Sequence, residues 1–387
     1  MPDSKYFNEA SLLTPPSQRS AYSDRMAYVC AELARLAYFP FEGGATAERL
    51  LSQVEKALKE VKVDTKTANA VKQRVTAHLA QDKLDAASSL AVFKETLLLG
   101  GFELIDTFGA GDTQGFLCRR DSTIGKGTAF LVYRGTESFN DVIDDLNVFL
   151  TREPFKGTDD DESLVHKGFY KQFSDVNELV KGLLEKVEDH QLMITGHSLG
   201  GALAVLATRF YAKDSSGACY TYGAPAVGNP AFQWPIKTPI YRIVNEVDPV
   251  ARVPSAYTGF MVQFLAHWLH KFLGLFGVER SKAADQIIHD LKLYRQNGYE
   301  SYLLPKNGQI MLRVGGSLDL IDRFKFWFNK FSSKAGLRKV ADYHGIDHYV
   351  ERLKQWAKSR NISEIAKQPI TTPDWVATEK KEAVKET

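Results

Sequence analysis

The sequence predicts an α/β fold: a central, mostly parallel sheet, flanked by helices on both faces and broken by helical insertions. Two observations carry this expectation. Short apolar runs with strand character alternate with helix-period segments from residue 100 onward. One of those runs, Leu192–Thr195, enters the pentapeptide Gly196-His197-Ser198-Leu199-Gly200 and leaves it through small residues that open a helix. Composition agrees: 387 residues, 44% hydrophobic and 25% charged, hold enough apolar material for a large core and exclude a disordered chain or a rod. The whole length reads as a single domain, 1–387, with insertions.

Taken in order, residues 1–20 are polar, carry Pro15-Pro16 and read as an irregular arm. From Tyr22 to Tyr38, small and apolar residues recur at helical spacing (Met26, Val29, Cys30, Leu33, Leu36, Ala37), predicting an amphipathic helix that ends near Pro40. Residues 45–95 form a helical insertion in which Leu50, Leu51, Val54, Leu58 and Val61 share one face, a pattern of packing rather than chemistry. Strands follow at Phe102–Asp106, Gly115–Arg119 and Thr128–Tyr133, separated by Gly/Asp-rich turns. A helix is expected near Lys171–Val187, then strands at Leu192–Thr195, Ala218–Tyr222 and Ile240–Asn245. Residues 299–313 read as a hairpin around Pro305-Lys306-Asn307-Gly308, and 376–387 as a flexible tail.

The Gly196–Gly200 pentapeptide has the G-x-S-x-G pattern in a strand–turn–helix setting. Ser198 on a sharp turn projects its hydroxyl at the C-terminal edge of the sheet, and glycines at 196 and 200 remove Cβ atoms that would collide there. Gly201, Ala202 and Ala204 let the following helix pack close, and its N-terminus points N–H groups toward developing negative charge. A serine hydroxyl needs a base and an orienting acid to act as nucleophile. In this strand–turn–helix class the chain order is Ser, then Asp or Glu, then His. Asp248, just after the Ile240–Asn245 run, is the preferred acid; Glu246 competes, and a plain turn before Pro249 is the alternative reading of Asp248. Downstream of the acid stand His267, His270 and His289 within apparent helices, and His344 and His348 at a loop-to-helix entry, where a base can reach over the turn.

Several blocks together resemble the class 3 lipases, the fungal-lipase-like branch of the α/β hydrolases, over roughly residues 100–255 and 299–355. They are TAFLVYRGTES, LVHKGF, TGHSLGGALA, YTYGAPAVGNPAF, RIVNEVDPVARVP and HGIDHY. The resemblance implies an α/β-hydrolase fold. It implies Ser198 as nucleophile, Asp248 as acid and His344 as base, His344 being favoured over His348 because Tyr349 follows it by five positions. It also implies oxyanion-hole N–H groups at Thr136 and Leu199, and a supporting role for His166. The expected activity is a lipase or esterase on lipid esters, triacylglycerol lipase-like, needing neither metal nor cofactor. The alternatives are a phospholipase A-type enzyme, or a non-catalytic membrane-binding protein on a hydrolase scaffold.

Charge and cysteines narrow the partners. Lys plus Arg number 49 against 47 Asp plus Glu, a net charge of +2, which excludes the basic footprint of a nucleic-acid binder. Cys30, Cys118 and Cys219 have no metal spacing, make no disulfide framework and read as buried apolar fillers. Asp159-Asp160-Asp161-Glu162 reads as a solvated loop. The N-terminus has no secretory signal, so a cytoplasmic location or export by a signal-independent route is expected; oligomeric state is not legible.

Two aromatic-rich helical insertions, 255–298 and 315–340, separate Asp248 from His344. Gly259–Val278 carries Lys271 as its one charge and is long enough to span a bilayer. A single crossing would put Asp248 and His344 on opposite sides of it, so no transmembrane span is expected. A lid, a helix lying on a lipid surface and a buried helix under a cap remain the readings. Leu318–Val340 interleaves Phe324, Phe326, Trp327, Phe328 and Phe331 with Arg323, Lys325, Lys330, Lys334, Arg338 and Lys339. That pattern suits either an anionic lipid interface or a half-buried helix with snorkelling lysines. In fungal relatives the short segment after the oxyanion residue forms a lid; here Phe139–Leu146 is acidic and weakly apolar, which moves the expected cover to the two insertions.

Overall fold

A computed structural model describes residues 3, 5–14, 20–40, 69, 89–122, 125–135, 150–152, 162–245, 248–252, 289–306, 308–314 and 343–360. Eight strands form one sheet: β1 (Glu103–Ala110), β2 (Thr113–Arg120), β3 (Thr128–Tyr133), β6 (Gln191–His197), β7 (Ala218–Tyr222), β8 (Ile240–Asn245), β9 (Tyr299–Lys306) and β10 (Gln309–Val314), in that spatial order. The run β3-β6-β7-β8-β9 is parallel, while β1, β2 and β3 pair antiparallel on one side and β9 with β10 on the other. A separate two-stranded ribbon joins β4 (Leu150–Arg152) to β5 (Leu164–His166).

Each central strand feeds both layers of the core, as the period of two requires. On β3, Phe130 and Val132 face one apolar cluster and Ala129, Leu131 and Tyr133 the other. The first cluster is covered by α1 (Asp24–Leu36), by helical residues 89–99 and by α5 (Ile346–Ser359). The second lies under α2 (Lys167–Leu184) and α3 (Leu199–Tyr211). A one-turn helix, α4 (Pro230–Gln233), connects β7 to β8. Helices on both faces explain why the central strands read as unbroken apolar runs.

The element bounds follow from caps. The Ser23 side chain accepts the N–H of Met26, so α1 begins at Asp24, and Tyr38 lies beyond its end. The His166 side chain accepts the N–H of Phe169 and starts α2 four residues earlier than the periodicity predicts. Strands β3, β7 and β8 have the expected limits, and β9 and β10 form the expected hairpin, turning at Gly308 with φ +75°.

The N-terminal residues are less independent than their polarity implies. Tyr6, Phe7 and Leu12 are buried in the first cluster. Arg35 donates to the Lys5 carbonyl at 2.9 Å, and Arg120 to that of Leu13 at 2.6 Å. Three apolar side chains in a polar stretch are too few to show periodicity but enough to dock it. Cys30, Cys118 and Cys219 are free and fully buried.

Among the described residues no helix is long and apolar enough to cross a membrane, and no cluster of His, Cys, Asp and Glu could hold a metal ion. Most of 45–95, and the whole of 253–288, 315–342 and 361–387, lie outside the described residues, so the insertions and tail expected there are not described.

Candidate active site

The site forms at the C-terminal edge of the parallel strands, where β6 turns sharply into α3. Ser198 occupies that turn with φ 57° and ψ −127°, in a region a non-glycine residue enters at a cost of about 1–3 kcal/mol. The surrounding packing imposes it. A Cβ on Gly196 would strike the carbonyl of Gly200, and a Cβ on Gly200 would strike the carbonyl of Tyr133 and come within 2.8 Å of the Arg134 carbonyl carbon. Strand and helix are therefore in backbone contact, and no wider turn fits between them. The Ser198 N–H donates to the Tyr222 carbonyl at 2.9 Å, which ties the turn to β7. Leu199 is the first residue of α3, where an N–H has no acceptor within the helix.

His344 reaches this turn from 146 residues downstream, just before the helix cap Gly345 of α5. Its Nε2 lies 2.8 Å from Ser198 Oγ, and its Nδ1 lies 2.9 Å from Asp248 Oδ2. Asp248 follows β8. Its carboxylate accepts the Val250 N–H at 2.9 Å on Oδ1 and the Tyr349 hydroxyl at 2.6 Å on Oδ2. Tyr349 in turn accepts the Asn245 N–H at 3.0 Å. Burial raises the Tyr349 hydroxyl well above its ordinary pKa, with the neighbouring Asp248 charge a further cause, so it remains a donor.

These contacts fix protons. An ionised carboxylate only accepts, so Asp248 places the His344 proton on Nδ1. Nε2 is left with its lone pair toward Ser198, whose hydroxyl donates to it. Ser198 and Asp248 are fully buried and His344 is 5% exposed, so water competes little for these bonds.

Of the residues singled out in the sequence, the structure brings Ser198, Asp248, His344 and Leu199 together. Thr136 and Glu246 lie outside the described residues, as do His267, His270 and the acidic segment Phe139–Leu146. His348 and His289 are exposed, each on its own helical segment, and it is His344 that bonds Ser198. His166 is buried at the start of α2, its ring stacked on Phe169 at 3.8 Å; its Nδ1 accepts a backbone proton, which makes it a helix cap. Burial holds its pKa down to about 4, so the ring is neutral.

Sequence reasoning passed over Gly223. It follows β7 with φ +59°, and a Cβ there would come within 2.6 Å of Asp248 Oδ2, 3.0 Å of the Tyr349 hydroxyl and 3.1 Å of His344 Nδ1. The gap it leaves is where the acid, its donor and the base converge. Its signal was a glycine directly after an apolar strand, at the edge where the serine turn was expected.

A mostly parallel sheet with helices on both faces, whose central strand ends in a strained serine turn bonded to a histidine and an aspartate, is the α/β-hydrolase fold. Residues 130–258 match the lipase (class 3) family model. That match holds the serine turn and Asp248 but covers less than half of the chain, and it marks a similarity to the class 3 lipases. It is 37% identical over 172 residues to a lipase of Rhizomucor miehei, covering 41% of this chain and 45% of the relative. It is 34% identical over 185 residues to a lipase of Rhizopus niveus, covering 43% and 45%. A protein named Toxin TseL, from Vibrio cholerae, is 31% identical over 225 residues, 55% of this chain and 33% of the relative. The chain thus spans less than half the length of these curated relatives. Among solved structures, the Rhizomucor miehei lipase propeptide complex superposes with a TM-score of 0.41 at 27% identity, over 56% of this chain and 61% of that one.

Proposed function

We propose that the protein is a serine carboxylic-ester hydrolase, triacylglycerol lipase-like, acting on lipid esters. The observation that carries this reading is the unbroken buried chain Ser198 Oγ–His344–Asp248 at 2.8 and 2.9 Å, set on a strained turn at a helix N-terminus.

In the proposed reaction His344 Nε2 takes the Ser198 proton as Oγ attacks the ester carbonyl. Asp248 holds the imidazolium that forms. Leu199 N–H, and that of Thr136 by resemblance, donate to the oxyanion, each such donor being worth about 3 kcal/mol in the transition state. His344 then protonates the leaving alcohol, and a water follows the same path in reverse to free Ser198. Tyr349 and the Val250 N–H keep Asp248 an acceptor throughout. We place the cover of the site, and its contact with lipid surfaces, in the insertions 255–298 and 315–340; the apolar run of the first and the basic-aromatic pattern of the second support this.

The basic-aromatic segment Leu318–Val340 also favours a second substrate, the acyl ester of an anionic phospholipid. Triacylglycerol, phospholipid vesicles and a short-chain nitrophenyl ester, compared under one set of conditions, separate the two. Ser198→Ala is expected to lower nitrophenyl ester turnover by about a million-fold, to background. A fluorophosphonate probe, with and without detergent, is expected to label the wild-type chain and spare the variant. Retained turnover in Ser198→Ala rejects the assignment.

A further inference from the structure

His197, next to Ser198 in the chain, is 4% exposed, and both its ring nitrogens are engaged. Nε2 lies 2.6 Å from the backbone carbonyl oxygen of His344, and Nδ1 lies 2.8 Å from the hydroxyl of Tyr38. A carbonyl can only accept, so Nε2 carries the proton. Nδ1 then has only a lone pair to offer, and the Tyr38 hydroxyl donates to it. The carbonyl thus selects the tautomer of the neutral ring, and the Tyr38 hydroxyl, able to donate or accept, fits it as a donor. Burial, reinforced by the charge that His344 can carry, pushes the His197 pKa well below its ordinary value. Burial raises that of Tyr38, against a smaller opposing effect of Arg134, whose guanidinium lies 6.0 Å from the Tyr38 ring.

Place matters as much as protonation. The rings of His197 and His344 lie 4.7 Å apart, tilted by 36°. A Cβ on Gly135, the residue that leads toward Thr136, would collide with the Tyr38 hydroxyl and with the His197 carbonyl at 2.5 Å. The pair thus sits where three segments meet: the end of α1, the turn into Ser198 and the chain leaving β3.

We propose that Tyr38 and His197 are positioning residues, a two-member lock that grips the main chain of His344 while Asp248 grips its side chain. The imidazole is then held at both ends of the residue, and it keeps its alignment to Ser198 Oγ as its charge changes. A reversed His197 tautomer would set a lone pair against the His344 carbonyl and push the base away. The lock rests on the hydrolase reading for its consequence, but not for its existence.

The test has two independent readouts on the 387-residue chain. The first is kinetic, with a soluble nitrophenyl ester. His197→Leu is expected to lower kcat about thirty-fold, and Tyr38→Phe about five-fold, with KM unchanged. His197→Gln, whose amide can still donate to the carbonyl, is expected to recover kcat to within about three-fold of wild type. Adding Tyr38→Phe to His197→Leu should cost nothing more, because Tyr38 acts through His197. Effects that multiply, a change confined to KM, or no recovery in a His197→Gln chain with wild-type thermal stability each overturn the lock.

The second readout is 15N NMR of the imidazoles, which reports the tautomer without reference to activity. Neutral, Nε2-protonated His197 from pH 8 to pH 5 is expected; an Nδ1 proton, or titration in that range, overturns the lock. If Ser198→Ala left ester turnover intact, the hydrolase reading would fall, and the NMR result would still decide the lock.

Discussion

Ser198 and His344 are held in opposite ways. The serine is fixed by backbone packed directly against its turn: glycines at 196 and 200 whose missing side chains let strand, helix and the end of β3 touch, and a φ of 57° that the short turn enforces. The histidine is fixed from afar, by Asp248 after β8, Tyr349 on α5, His197 at the end of β6 and the space above Gly223 after β7. One half of the site is local geometry and the other is assembled tertiary structure. Damage to the first should therefore appear as lost stability, and damage to the second as lost turnover in a folded chain.

The sharpest test of that contrast is Asp248→Asn. It keeps the side-chain shape but offers His344 a donor, favouring the wrong tautomer. A loss of about ten-thousand-fold in kcat is expected, with a thermal midpoint near wild type. Unfolding of this variant would make the acid a structural residue and erase the contrast.

Acid sensitivity separates the two modes next. His166 is buried with its pKa near 4 and would titrate near 6.5 in the unfolded chain, so below pH 6.5 the unfolded state binds the extra proton. Stability therefore falls as pH drops from about 6.5 toward 4, by up to about 3 kcal/mol from this group. His197, depressed in the same direction, adds to the slope. His166→Asn can still cap α2 and does not titrate. Urea midpoints across this range should lose part of their acid slope in the variant, while any acid loss of turnover in the folded enzyme persists.

A pair of glycine substitutions draws the line more finely. Gly200→Ala meets backbone that cannot move aside and should cost about 3 kcal/mol of stability. Gly223→Ala meets the acid, the base and a tyrosine hydroxyl. It should lower kcat about a hundred-fold by displacing them, with about 1 kcal/mol of backbone strain. Comparable kcat at comparable stability in the two variants would show that the halves are not separable.

The smallest effect among substitutions around Asp248 is expected from Tyr349→Phe, which removes one of three donors to the carboxylate and leaves the Asn245 N–H without its acceptor. A kcat loss of about ten-fold is expected, measured with the soluble ester.

The same contrast governs what could be read before any coordinates. The serine turn was legible because its pattern is local: strand, glycines and small residues are adjacent in sequence, even though the backbone that a Cβ on Gly200 would strike belongs to Tyr133 at the end of β3. The sheet was legible for a similar reason, since β3, β7 and β8 are buried on both faces and stand out as apolar runs. Asp248 and His344 were reached through chain order and the blocks shared with a known family, because nothing near them in sequence encodes their meeting. Gly223 showed only as a glycine after an apolar strand, with nothing to give its role, and Tyr38 and the lock on His197 were not legible at all. Each takes its meaning from atoms dozens to hundreds of residues away. The docking of Tyr6, Phe7 and Leu12 escaped notice because isolated apolar residues in a polar arm carry no period.

The order of the chain gives the serine turn a history. Ser198 is made 146 residues before His344, the first complete elbow waiting for the last described helix. At roughly 5–20 residues per second, about seven to thirty seconds of synthesis separate the nucleophile from its imidazole. During that interval the nascent protein has the serine but not its base, so on the proposed hydrolase reading no turnover is expected until α5 has emerged and packed onto α1. On that reading, a fragment released by a ribosome stalled short of that point is expected to be inert rather than partially active.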